Sequence, residues 1–281
     1  MNRFSHRALV ASLALLLALP GIAPGVTSPR SLRVESEVAC HVADALPARI
    51  AALPNLTDAI VNRKRVRIVA IGSSSTEGVG ASSPLAAYPS QLRALLQLSL
   101  PEDRFEVINL GIGGEVAART VERLRRDIPR LSPDLVVWQV GTNDALSGVA
   151  IPAYEKTVRD ALQFLRVGHY DALLVGMQWT RKLAGNPNYV ATRDATARVA
   201  GLEGVTIVSR YDAMRKLAEA SGREDFTGPD NLHMNDRGYR CLAEEVAVTL
   251  AQAVSSEHAQ DARQDALQKP MAAIETTRGH I

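Results

Sequence analysis

From Val66 onward the chain alternates between short apolar runs and longer stretches in which apolar side chains recur every three or four positions. The runs Val66–Ile71, Phe105–Asn109, Leu135–Val140, Ala172–Met177 and Val205–Val208 read as strands. Helical spacing falls near Tyr88–Leu98, Ala117–Ile128, Ile151–Gly168 and Tyr189–Ala200, with a further helix from about Tyr211 to Ala220 and a last one over roughly Asn235–Ala253. Strands that are apolar throughout, separated by amphipathic helices, signal a parallel sheet covered on both faces. The pattern therefore predicts an α/β protein, a three-layer α/β/α arrangement around a five-stranded parallel sheet, in a domain spanning residues 63–254.

This five-strand pattern is flavodoxin-like. At 281 residues, 46% of them apolar and 22% charged, the chain suits one such domain with short appendages. Residues 29–62 read as an N-terminal arm with a short helix around Val42–Leu53. Residues 255–281, rich in Gln, Asp, Arg, Ala and Thr without an apolar stripe, read as a mobile C-terminal tail. At the other end Asn2, Arg3, His6 and Arg7 precede an apolar run from Ala8 to Leu19 that breaks at Pro20-Gly21. A basic head, a short greasy stretch and a small-residue exit make residues 1–28 a signal peptide, cut between about Ala23 and Ser28. The run falls short of the roughly 20 apolar residues of a transmembrane helix. The mature chain is then expected in the periplasm or outside the cell with no transmembrane span; an uncleaved N-terminal anchor is the alternative.

The formal charge of +2 is spread over scattered Lys and Arg, and 4% aromatic residues leave few stacking platforms, so no nucleic-acid partner is expected. Arg63-Lys64-Arg65 and Arg123-Arg125-Arg126 read as solvated faces. Two cysteines, Cys40 and Cys241, suit a disulfide between the arm and the last helix in an oxidising compartment, or two unlinked buried thiols. Neither sits in a loop at a strand end, where a nucleophile would be placed.

Ligands of open α/β sheets bind beyond the carboxyl ends of the strands, so the loops after the strands are where chemistry belongs. Strand one runs into Gly72-Ser73-Ser74-Ser75-Thr76-Glu77-Gly78, strand two into Asn109-Leu110-Gly111-Ile112-Gly113-Gly114, and strand three into Gly141-Thr142-Asn143-Asp144. Asp230-Asn231-Leu232-His233 precedes the last helix. A serine hydroxyl needs a neighbouring base to become a nucleophile. Of six histidines, His6 lies in the signal, His258 and His280 in the tail, His41 in the arm, and His169 before a strand at the amino edge. That leaves His233. Asp230, three residues earlier, is placed to fix its tautomer and stabilise the imidazolium; Asn235 or Asp236 is better placed to cap the following helix.

Asp-x-x-His near the C-terminus, together with the three loops, resembles the SGNH (GDSL) hydrolase family, in that family's order, over Val66 to about Val254. The resemblance implies Ser74 as nucleophile, Gly114 and Asn143 as oxyanion partners, and His233 as base oriented by Asp230, with the Ser74 amide as a third donor. A glycine amide permits close approach to the developing anion, and an Asn amide donates without adding charge. The first block departs from Gly-Asp-Ser-Leu, with Ser73 in place of the Asp and Ser75 in place of the Leu, which leaves Ser73 or Ser75 as alternative nucleophiles. Gly-x-Ser-x-Gly, His-Glu-x-x-His and Cys-x-x-Cys are all absent, and no Lys-Ser/Thr follows the glycines at 111–114, so neither a metal nor a cofactor is implied.

Together these readings predict an exported serine ester hydrolase acting on an acylated small molecule or glycan, foremost a short-chain or carbohydrate O-acetyl esterase. Trp179, in the loop Gln178-Trp179-Thr180-Arg181, is a candidate for stacking on a sugar, or else closes the edge of the core; Arg181 is a candidate partner for an acidic group. A lysophospholipase or arylesterase, a glycan O-acetyltransferase using the same site, and a non-catalytic glycan-binding protein are the rival readings.

Overall fold

The structure is a computed structural model that describes Cys40 and residues 50–63, 65–101, 104–222 and 225–278, with side chains as far as Glu257. The expected signal peptide and most of the arm lie outside the described residues. Of the helix expected over Val42–Leu53, the described residues 50–53 are not helical. Leu53 precedes Pro54, whose ring disfavours a helical conformation in the residue before it, so the helix begins at the proline instead. This helix, α1 (Pro54–Asp58), continues into a π-helical turn at Ala59–Arg63.

Five parallel strands follow: β1 (Arg65–Gly72), β2 (Arg104–Gly111), β3 (Leu135–Gln139), β4 (Asp171–Val175) and β5 (Thr206–Val208). Their spatial order is β2-β1-β3-β4-β5, the flavodoxin-like order. Register is set by pairs such as Ile68 with Val107 and with Leu135, and Leu173 with Thr206. Successive side chains point to opposite faces, and the buried strand residues divide accordingly. Ile68, Ala70, Leu135, Val137, Leu173 and Val175 enter one core, with α3 (Tyr88–Ser99), α9 (Arg210–Ser221) and α10 (Asp236–Arg278). Val69, Ile71, Val136, Trp138 and Leu174 enter the other, with α4 (Ala117–Leu131), α6 (Ile151–Val167) and α8 (Pro187–Glu203). At about 1.5–3 kcal/mol for each fully buried aliphatic side chain, these two layers are what hold the sheet between its helices.

The long helices keep close to the periodicity, except that α10 runs on to Arg278, past the end expected near Ala253. Cys40 is bonded to Cys241 in α10, with a Cα–Cα distance of 5.2 Å across 201 residues of chain. Among the described residues no helix is long and apolar enough to cross a membrane. Chain order reverses between β1 and β3, which opens a crevice outside their carboxyl ends, where such sheets place ligands.

Candidate active site

Beyond β1 the chain turns into a single helical turn, α2 (Ser74–Glu77). The turn closes on Ser73, whose carbonyl accepts from the Thr76 and Glu77 amides at 2.9 Å. Ser73 is fixed from the neighbouring strand: its amide and its hydroxyl both donate to Gln139 Oε1, at 2.9 and 3.0 Å. A side-chain amide at the end of β3 thus satisfies the position where the family motif carries an aspartate. Ser73 and Ser75 are 4% and 3% exposed, whereas Ser74 between them is partly open to solvent. As the first helical residue, Ser74 has an amide that lies outside the intrahelical ladder. Among the described residues no group hydrogen-bonds its hydroxyl.

The second loop lies directly on α2. A Cβ on Gly111 would stand 2.0 Å from the Glu77 nitrogen and 2.4 Å from the Thr76 carbonyl carbon, so only glycine lets the two backbones meet. Glu77 Oε2 accepts from the Gly113 amide at 2.7 Å, and the Gly113 Cβ position is 3.9 Å from Ser74 Cβ. Gly114 follows at φ +80°. Arg123, read from sequence as part of a solvated face, is instead mostly buried here. Its guanidinium pairs with Glu115 at 2.6 Å and donates to the carbonyls of Leu110 at 2.8 Å and Gly72 at 3.3 Å, tying the first two loops together.

After β3 comes α5 (Thr142–Leu146). Asn143 Nδ2 donates to the Glu115 carbonyl at 2.8 Å, which sets the Asn143 amide beside Gly114. Asp144 is buried and accepts from the Ala117 amide with both oxygens, at 3.0 and 3.1 Å, capping α4 from another helix. Burial pushes its carboxyl above the ordinary range although that amide pulls the other way.

The fourth segment is a tight turn ahead of α10. Asp230 Oδ1 accepts from the Leu232 and His233 amides at 3.0 Å, and Oδ2 lies 2.5 Å from His233 Nδ1. Burial alone would raise the Asp230 carboxyl, but the bonds from the His233 ring and the two amides outweigh it and hold it below its ordinary value. Asn235 Oδ1 accepts from the Gly238 amide at 2.9 Å and caps α10, which leaves Asp230 to the histidine. The turn is stitched to the chain beyond α2. Asp236 accepts from the Ser82 amide and hydroxyl at 2.7 and 2.5 Å, and the Tyr239 hydroxyl donates to the Val79 carbonyl at 2.6 Å. Gly80 passes so near that an added Cβ would stand 3.1 Å from His233 Cβ.

The four predicted blocks therefore come together at the carboxyl edge. His169 lies at the opposite edge, its carbonyl accepting from Asn55 at 2.7 Å. Trp179 is 9% exposed and belongs to the same core cluster as Leu183 and Tyr189, which leaves little of its face open to solvent. Arg181 opens α7 (Arg181–Ala184) and is exposed. Gln139, Glu77, Asp144, Arg123 and Gln178 support the site without having been singled out, because each acts across segments distant in sequence. A cleft of about 570 Å³ lies elsewhere, between α8 and α9, and is lined by Arg193, Tyr211 and Arg215 among others. Its charges face one another, Arg193 with Asp194 and Arg215 with Asp212, and none of the residues above lines it. Among the described residues no cluster of His, Cys, Asp and Glu is arranged to hold a metal ion.

The chain is 31% identical to Esterase TesA of Pseudomonas aeruginosa over 110 residues, 38% of this chain and 52% of that protein, so the match spans about half the length of that curated relative. Among solved structures, a two-domain esterase active on acetylated mannans aligns with a TM-score of 0.65 at 22% identity, over 75% of this chain and 56% of that one. An acetyl xylan esterase aligns at 0.56 and 20% identity, over 64% and 98%. At these identities the structural likeness speaks for the fold. Residues 39–256 match the model of the Non-GDSL lipase-like family, and with its four blocks in register the chain belongs to that family and to the SGNH/GDSL hydrolases.

Proposed function

We propose that the protein is an exported serine esterase that removes short acyl groups, acetyl foremost, from carbohydrate hydroxyls. The observation that carries this reading is the 2.5 Å His233–Asp230 pair, held by the Ser82–Asp236 and Val79–Tyr239 bonds to the segment that leaves Ser74. Ser74 is also the accessible one of three consecutive serines. In the reaction His233 Nε2 takes the Ser74 proton as Oγ attacks the ester carbonyl. The resulting oxyanion is met by the Ser74 and Gly114 amides and by Asn143 Nδ2. His233 returns the proton to the departing alcohol, and water repeats the sequence on the acyl-serine to release the acid. Acetylated glycan as substrate is supported by the named activities of the mannan and xylan esterases above. Export is supported by the N-terminal pattern and by the Cys40–Cys241 bond, which suits an oxidising compartment.

A longer acyl chain is the second reading, favoured by the exposed side chains of Ile112, between the glycines of the second loop, and Leu146, at the end of α5. Hydrolysis of p-nitrophenyl acetate, butyrate and octanoate, and acetate release from acetylated xylan and mannan, separate the two. Acetate preference lost in Ser74→Ala and His233→Ala supports the first reading. Octanoate preference supports the second, and activity retained in both variants overturns the site assignment.

A further inference from the structure

We infer that Gln178, oriented by Arg210, is a positioning residue that sets the oxyanion donor Asn143 and the base His233 relative to each other; this rests on the roles proposed above for those two residues. Gln178 lies just beyond β4, is 2% exposed, and takes no part in the acyl-transfer scheme. Its side-chain amide reaches three segments. Oε1 accepts from the Thr142 hydroxyl and from Arg210 Nη2, each at 2.8 Å, while Nε2 donates to the Leu232 carbonyl at 3.2 Å. Thr142 immediately precedes Asn143, and Leu232 immediately precedes His233. One amide group therefore spans the two loops, and each arm ends one residue from a reacting group.

Arg210 decides which end of that amide faces which loop. A glutamine side chain presents an acceptor and a donor of nearly the same shape. Turned over, its oxygen would face the Leu232 carbonyl and its NH2 would face a guanidinium. A cation donating to Oε1 forbids that orientation. The guanidinium is anchored in turn: Nε donates to the Gly176 carbonyl at 2.6 Å, and Nη1 lies 3.8 Å from Met234 Sδ, on the far side of His233. Arg210 is 1% exposed, and a buried cation is a costly way to fill a core that an apolar side chain of similar volume would fill more cheaply. Burial pushes its pKa down against the opposing influence of Tyr189, Tyr239, Tyr88 and Glu245. Each of its polar contacts goes to the β4 end, to Gln178 or to the residue after His233, so the cost is incurred where the loops meet.

Gln178→Glu tests the inference, because it keeps the oxygen that Thr142 and Arg210 address and removes the donor to Leu232. Thr142→Val removes only the other arm. Rates on p-nitrophenyl acetate are expressed per active site, counted by fluorophosphonate labelling where His233 is present and by the monodisperse fraction with wild-type circular dichroism in the His233→Ala background, so that misfolded protein does not enter. Gln178→Glu is expected to lower kcat at least threefold with KM changed less than threefold, and to change the residual rate less than twofold when introduced into His233→Ala. Non-additivity of that kind is the mark of two residues acting through one another. A kcat within threefold of wild type, or the same loss in both backgrounds, overturns the inference. Should Gln178→Glu fail to fold, Thr142→Val decides by itself: a fall in kcat of threefold or more supports the inference and an unchanged kcat overturns it. If Ser74→Ala and His233→Ala remain active, it is the proposed function that fails; if they are inactive and Gln178 is indifferent, only the present inference does.

Discussion

Replacing Gly111 by alanine perturbs the site at the point where β2 hands its chain to the second loop. The new Cβ would stand 2.0 Å from the Glu77 nitrogen, 2.4 Å from the Thr76 carbonyl carbon and 2.5 Å from Glu77 Cα, where ordinary contact begins at 3.4 Å. Either α2 or the loop must retreat by the difference, about 1.4 Å, and both are backbone with no rotamer to yield. Overpacking a tight interior costs about 1–3 kcal/mol, and a clash between two main chains belongs at the upper end, about 3 kcal/mol. For a domain of this size that lowers Tm by about 6–12 °C. Because α2 begins with Ser74, the same retreat moves the proposed nucleophile, and a displacement of about 1 Å costs on the order of 100-fold in rate. Thermal melts followed by circular dichroism and ester hydrolysis per labelled active site read the two effects separately. Gly185→Ala is the control: its Cβ meets nothing within 4 Å and its φ of −85° suits any residue, so its Tm should hold or rise slightly. A Gly111→Ala protein with Tm within about 2 °C of wild type and kcat within about threefold would refute the close-approach argument.

Asp230→Asn is expected to leave the fold intact and lower kcat by about 10²–10⁴-fold, through loss of the group that fixes the His233 tautomer; the rate of fluorophosphonate labelling checks it. Reduction, or Cys241→Ser, should cost about 2–5 kcal/mol through release of the long loop closed by Cys40, measured as the Tm difference with and without dithiothreitol. Asp144→Ala strands the buried Ala117 amide and should destabilise by about 1–3 kcal/mol, seen in urea unfolding. Asp171, whose carboxyl burial raises to about 7 against hydrogen bonds from Leu56 and Asn55, binds a proton more tightly folded than unfolded. Stability is therefore lost as pH rises from about 4 to about 7. The Tm of Asp171→Asn relative to wild type should improve over that window, and a difference that does not change with pH would refute the assignment.

How far the chain could be read without coordinates depended on how local each interaction was. The five strands and the long helices α3, α4, α6, α8 and α9 fall within a few residues of the periodic pattern, because each is long enough to show a repeat and buries a whole face. The single-turn helices α2, α5 and α7 were not legible: four or five residues contain no period, and their form comes from the loops they touch. His233 emerged by elimination and Asp230 by its spacing, both within one turn of chain. Ser74, Gly114 and Asn143 were legible only through the family resemblance. The supports were not legible at all. Gln139 meets Ser73 across 66 residues and Gln178 meets Leu232 across 54. Arg123, a charged residue within a helical stretch, reads as solvent-facing until the fold buries it, and Arg210 carries no sequence signal that marks it as buried.

The stitches between Val79 and Tyr239 and between Ser82 and Asp236 bear on the order in which the protein becomes competent. A chain made from its N-terminus exposes the serine turn long before the histidine turn exists, since Tyr239 follows Val79 by 160 residues. The bond from Cys40 must wait longer still, for a partner 201 residues away. A polypeptide stopped between α5 and Asp230 has the proposed nucleophile and both proposed oxyanion loops but neither the proposed base nor the covalent closure. Completion of the proposed site thus waits on α10, whose docking seats the preceding Asp230–His233 turn against the serine turn and presents Cys241 to Cys40.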